Sequence, residues 1–123
     1  MPDSGWGLAD GSGLSGSDLL TPRGLVALLA AMDRHPHAAA FRDSLPIAGV
    51  DGTLEKRMKG TPAEGRVTAK TGTLHLAHAL AGYVTTVRGD RLAFAIVVNN
   101  HEGKSREAVA AIDAIAAALA AAR

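Results

Sequence analysis

Cysteine is absent from the 123 residues, which excludes a disulfide framework and thiolate chemistry while leaving the compartment open. Aromatic residues are scarce as well, with one Trp, one Tyr and two Phe, so any core has to be filled by Ala, Leu, Val and Ile. An excess of charge of either sign is also missing. Thirteen Lys and Arg face twelve Asp and Glu, for a net charge of +1, and the basic residues are not clustered with aromatics, so a nucleic-acid groove is not expected. No apolar run is long enough to span a bilayer, because Arg106, Glu107 and Asp113 interrupt even the alanine-rich end. The N-terminus lacks a basic region followed by an apolar one and does not read as a signal peptide. Either the chain stays inside the cell or its export signal lies on sequence not present here. The length leaves room for one modest domain.

Metal ligation finds no support. His75 and His78 stand three apart in what reads as a strand connection, with no Cys or third ligand near them. His35, His37 and His101 sit in polar loop contexts, and all five histidines read as solvated surface residues. No metal or cofactor is expected.

What is present divides at about residue 20. Residues 1–20 form a Gly/Ser-rich leading loop without apolar period. Its Asp10-Gly11-Ser12-Gly13 run lacks the alternating acids and distal Glu of a calcium loop, and Ser12 lacks the flanking glycines of a nucleophile elbow. Residues 21–123 carry the regular structure. Thr21 as N-cap and Pro22 in the first turn predict a helix to about residue 34, with Leu25, Leu28, Leu29 and Met32 at helical spacing. A short helix over 37–44 and a turn over 45–49 follow, and Thr53 is placed to cap a helical turn over 54–58. Gly60 and Gly65 have phosphate-loop spacing, but Arg66-Val67 stands where Lys-Ser/Thr is required.

From residue 66 the apolar period shortens to two. Strands are expected over 66–73, 79–87 and 91–98, the last two joined as a hairpin by Arg88-Gly89-Asp90. The third is apolar on both faces, which predicts a central, doubly covered strand. A helix over 105–123, with Ser105 as cap and Val109, Ile112, Ala116 and Leu119 in one stripe, supplies a cover. The expected class is α+β, an antiparallel sheet of about three strands flanked by helices. So small a sheet leaves one face short of a partner, and further chain is expected to complete it.

The chemistry is concentrated in Arg66-Val67-Thr68-Ala69-Lys70-Thr71-Gly72-Thr73. In an extended segment Thr71 and Thr73 share a side, while Lys70 points opposite or along the edge. Gly72 removes the side chain that would hold another backbone away. A peptide could add to such an edge through main-chain hydrogen bonds, its carboxylate meeting the two hydroxyls and the ammonium charge. A lone Lys-Thr-Gly recurs freely on exposed strands, so its weight depends on context.

That context is supplied by several runs in order: Asp10-Gly11-Ser12-Gly13-Leu14-Ser15, Leu45-Pro46-Ile47-Ala48-Gly49, Asp51-Gly52-Thr53-Leu54, Arg57-Met58, Gly60-Thr61, Ala69-Lys70-Thr71-Gly72-Thr73-Leu74 and Leu80-Ala81-Gly82-Tyr83-Val84. From about residue 8 to the end, the chain resembles the C-terminal part of the class C penicillin-binding proteins, the penicillin-binding protein 4-like D-alanyl-D-alanine carboxypeptidases and endopeptidases. The resemblance implies part of a transpeptidase fold of the penicillin-binding-protein/β-lactamase type and a cell-envelope, extracytoplasmic setting. It also implies a serine acyltransferase acting on peptidoglycan stem peptides and acylated by β-lactams. By the same resemblance Lys70 gives the positive potential beside the nucleophile, Thr71 and Thr73 bind the substrate carboxylate with Gly72 between them, and the Thr73 N–H forms half of the oxyanion hole. The family's Ser-x-x-Lys and Ser-x-Asn are not found: Ser4, Ser12, Ser15, Ser17, Ser44 and Ser105 fail both patterns. The chain alone is therefore expected to be inactive, carrying the Lys-Thr-Gly wall without a nucleophile. A non-catalytic module binding D-Ala-D-Ala-like carboxylates and a purely structural small domain are the other two readings of the residues.

Overall fold

A computed structural model describes residues 6–7, 19–74, 77–99 and 105–122. Within the segment expected to be irregular, Trp6–Gly7 (β1) pairs antiparallel with Leu19–Leu20 (β2). Helix α1, Pro22–Asp33, begins as expected: the Thr21 side chain accepts from the Gly24 N–H at 3.0 Å, and Pro22 occupies the first turn. Helix α2, Ala38–Asp43, follows, and Asp33 ties the two together by accepting from Arg42 at 2.8 Å.

Gly52–Leu54 forms one 3₁₀ turn whose N-cap is Asp51, with Thr53 inside the turn. The expected capping role of Thr53 therefore does not hold. Asp51 instead folds the preceding chain, its carboxylate accepting from the Ile47 N–H at 2.7 Å.

Strands β3 (Val67–Leu74), β4 (Ala77–Thr85) and β5 (Arg91–Asn99) make an antiparallel meander in the order β3-β4-β5. The strand expected to be central, β5, is thus an edge of this sheet, and β4 lies in the middle. Its apolarity on both faces comes from cover rather than from strand neighbours. Helix α1 packs on one face, while Phe94, Ile96 and Val98 join the core on the other.

Helix α3, Ser105–Ala120, closes that second face with Ala108, Ile112, Ala116 and Ala120 buried. The buried stripe falls one residue away from the expected Val109 and Leu119, which are only half-buried. Small residues at four-residue spacing let the helix approach the sheet closely. Leu54, Leu80, Ile112, Val67 and Val84 are fully buried and contribute about 1.5–3 kcal/mol each by apolar burial. Arg57 grips Asp113 of α3 through Nη2 at 2.6 Å and Nε at 3.1 Å, holding the 52–65 loop against the helix.

Candidate active site

Strand β3 has two unlike ends. At its start, the Ala48 N–H donates to Val67 O and the Ala69 N–H donates to Pro46 O, both at 2.9 Å, so the Pro46–Ala48 segment covers the outer edge. In an extended strand the N–H and C=O of one residue point the same way and alternate along the chain. Since Val67 and Ala69 face outward, so do Thr71 and Thr73. Among the described residues, no backbone group pairs with that outward main chain beyond Ala69. Among the described residues, the edge from 70 to 73 is open.

The side chains then follow from register. Thr71 pairs with Leu80 and Thr73 with His78, on the face covered by α3, whereas Lys70 pairs with Ala81 on the α1 face. Lys70 nevertheless reaches the edge: its Nζ donates to the outward Thr71 carbonyl at 2.6 Å and keeps two further donors. Thr71 Oγ1 lies 3.2 Å from Thr53 Oγ1. Lys70, Gly72 and Thr73 are exposed, and Thr71 is half-buried. An ammonium, two hydroxyls and two outward N–H groups thus line one edge, a donor set suited to a carboxylate beside an extended peptide.

Thr53 was missed from sequence because a threonine ahead of a helical turn carries the same local signal whether it caps the turn or faces another strand. His78 is a correction. It is 6% exposed, buried within β4, not solvated. His35 and His37 are exposed, with ring centroids 5.3 Å apart, while His75 and His101 fall outside the described residues. So do Asp10, Gly11, Ser12 and Gly13.

Two glycines behave differently. A Cβ on Gly82 would collide with Thr68 O and with Ala69 Cα, so β4 can approach β3 this closely only with glycine there. A Cβ on Gly72 would make an ordinary 3.6 Å contact with Ala79 Cβ. Packing among the described residues does not require a glycine at 72.

A cavity of about 470 Å³ opens on the α1 face near the β4–β5 turn, floored by Thr68, Tyr83 and Thr85 and rimmed by Arg42, Arg66 and Arg91. Lys70 does not line it. Its guanidinium groups serve the fold: Arg42 and Arg91 hold Asp33, and Arg66 donates to the Thr86 carbonyl. The Tyr83 hydroxyl donates to Leu29 O at 2.5 Å. Burial pushes that phenol above its ordinary 10.0, Asp33 adding to the rise and Arg42 and Arg91 opposing it.

The chain belongs to the D-Ala-D-Ala carboxypeptidase 3 (S13) family, whose profile matches residues 4–119. It is 49% identical over 118 residues to a D-alanyl-D-alanine carboxypeptidase of Actinomadura sp. (strain R39), covering 92% of this chain and 21% of that protein. The crystal structure of penicillin binding protein 4 from Haemophilus influenzae superposes with a TM-score of 0.73 at 34% identity, covering 83% of this chain and 23% of that one. The same protein complexed with a β-lactam gives a TM-score of 0.72 at 35% identity, covering 81% and 24%. The chain therefore spans between a fifth and a quarter of the length of these relatives.

Proposed function

We propose that this chain is the carboxylate-binding wall of a serine-type D-alanyl-D-alanine carboxypeptidase or endopeptidase, acting on peptidoglycan stem peptides and acylated by β-lactams in an extracytoplasmic setting. The observation that carries this reading is the open edge from 70 to 73, with the Lys70 ammonium folded onto it. A peptide ending in D-Ala-D-Ala adds alongside β3. Its terminal carboxylate takes donors from Thr71 and Thr73 and feels the Lys70 charge, and the outward Thr73 N–H faces the oxygen on which negative charge develops.

Chemistry needs an activated hydroxyl that no serine of this chain offers in the required pattern. The small, half-buried surface of Ala79 and Ala81 beside Gly72 and Lys70 is where a segment carrying such a serine packs. Among the described residues no helix is long and apolar enough to cross a membrane.

Fluorescent penicillin tests the assignment. The isolated chain should remain unlabelled, and a protein that joins it to an upstream Ser-x-x-Lys segment should label covalently. Titration with N-acetyl-D-alanyl-D-alanine should show saturable binding that the amidated peptide lacks, weakened at least tenfold in Lys70→Ala, the scale of one charge-assisted hydrogen bond. Binding without labelling in the joined protein would favour a non-catalytic carboxylate module instead.

A further inference from the structure

We propose that His78 is a positioning residue for Thr73, its Nδ1–H donating to the threonine hydroxyl so that the hydroxyl proton is aimed outward at a bound carboxylate. The inference rests on Thr73 belonging to the carboxylate wall proposed above.

Two independent observations carry it. The first is an unpartnered polar atom: His78 is 6% exposed, and its Nδ1 is buried without a hydrogen-bond partner among the described residues. Buried polar groups are overwhelmingly paired, and an orphan calls for an explanation. An apolar residue would fill the same buried position without that cost, as Leu80 does two residues on along the same face.

The second is register. His78 is the cross-strand partner of Thr73, on the same face. The outward orientation of Val67 and Ala69 fixes the parity of the ladder, so Thr73 and His78 form a narrow, non-hydrogen-bonded pair. Side chains approach most closely in such pairs, with Cβ atoms about 4.5–5.5 Å apart. A rotation of Thr73 between staggered χ1 wells then brings its oxygen to the imidazole nitrogen.

The direction of the hydrogen bond matters. A hydroxyl that donates to the ring would offer only lone pairs to a carboxylate, which repels them. With His78 in the Nδ1–H tautomer the order is reversed: Nδ1–H donates to Oγ1, and the Thr73 O–H donates to the carboxylate. Hydrogen bonds in such a chain reinforce one another. Sequence separates the two residues by a reversal of the chain, and only the β3–β4 register brings them together.

The experiment uses the 123-residue chain with labelled histidine. Long-range nitrogen spectra of wild type should show His78 protonated on Nδ1, with that resonance moving in Thr73→Val while those of His35 and His37 stay in place. An Nε2–H tautomer, or an Nδ1 resonance indifferent to Thr73→Val, overturns the proposal. The second arm is a double-mutant cycle on binding of N-acetyl-D-alanyl-D-alanine. His78→Leu should weaken binding about tenfold and His78→Asn, which keeps an N–H donor near the Nδ1 position, about twofold. On a Thr73→Val background His78→Leu should have no further effect, whereas additive losses would mark a merely structural role. A wild-type chain that binds no peptide at all sinks the carboxylate reading of the edge. An unmoved Nδ1 resonance sinks the assignment of His78 alone.

Discussion

The two ends of β3 belong to one strand and are held by different means. The Val67–Ala69 end is fixed from three directions: Pro46–Ala48 along its outer edge, β4 along its inner edge with Gly82 in close approach, and core on its face. The Lys70–Thr73 end has β4 as its backbone partner among the described residues and one side-chain bond from Thr71 to Thr53, with outward N–H groups and the Lys70 ammonium along its other edge. One end anchors and the other presents, so a substitution at either end should affect stability or binding, but not both.

The largest effect is expected at the anchored end. Gly82→Ala sets a methyl group against Thr68 O and Ala69 Cα, backbone atoms that cannot yield, and should cost about 3 kcal/mol or more or prevent folding. Circular dichroism and urea unfolding read this directly. Near-wild-type stability would show that the two strands need not approach so closely.

Hydrogen exchange should separate the two ends next. The Ala69 amide, bonded to Pro46 O, should exchange at least about a hundredfold more slowly than the amides of Thr71 and Thr73, since an opening free energy of a few kcal/mol protects a bonded, buried amide. Equal rates would erase the distinction.

Tyr83→Phe comes third. Tyr83 is the cross-strand partner of Thr68, and losing its hydroxyl removes the side-chain bond to the Leu29 carbonyl, which lies within α1, at a cost of about 1 kcal/mol. The variant also changes the alkaline limb of stability. Because the folded phenol titrates above its ordinary 10.0, the unfolded state releases its proton first as pH rises, so wild-type stability falls from about pH 10 upward. In Tyr83→Phe that contribution to the decline should vanish.

The smallest change in stability belongs to the presenting end. Gly72→Ala meets only ordinary contact and should shift unfolding by no more than about 0.5 kcal/mol, with a gain possible from the stiffer unfolded chain. Its effect should appear instead as weakened peptide binding.

Much of this arrangement was legible in the sequence, because local chemistry decides it. Thr21-Pro22 states where α1 begins, and the change of apolar period near residue 66 states where the sheet begins. The order Lys70, Thr71, Gly72, Thr73 states which side chains share an edge. What escaped depends on partners distant in the chain. His78 is buried because the β3–β4 register and α3 together choose its face, and no neighbour in sequence reports that choice. β5 resembles a central strand because α1 covers one face and Phe94, Ile96 and Val98 join the core on the other, and covered faces leave the same mark on composition as flanking strands do. Trp6–Gly7 and Leu19–Leu20 are too short to show any period.

The far end of the sheet has a practical use. The Val87 N–H donates to Ala120 O at 2.8 Å, fastening the last turn of α3 beside the β4–β5 turn. His78 and Val87 are nine positions apart along β4 and its continuation, roughly 30 Å at about 3.3 Å per residue. A fluorophore or surface tether fused behind the final helix would hang from the pole opposite Thr73, leaving the ligand-facing rim unobstructed in any optical or immobilised assay.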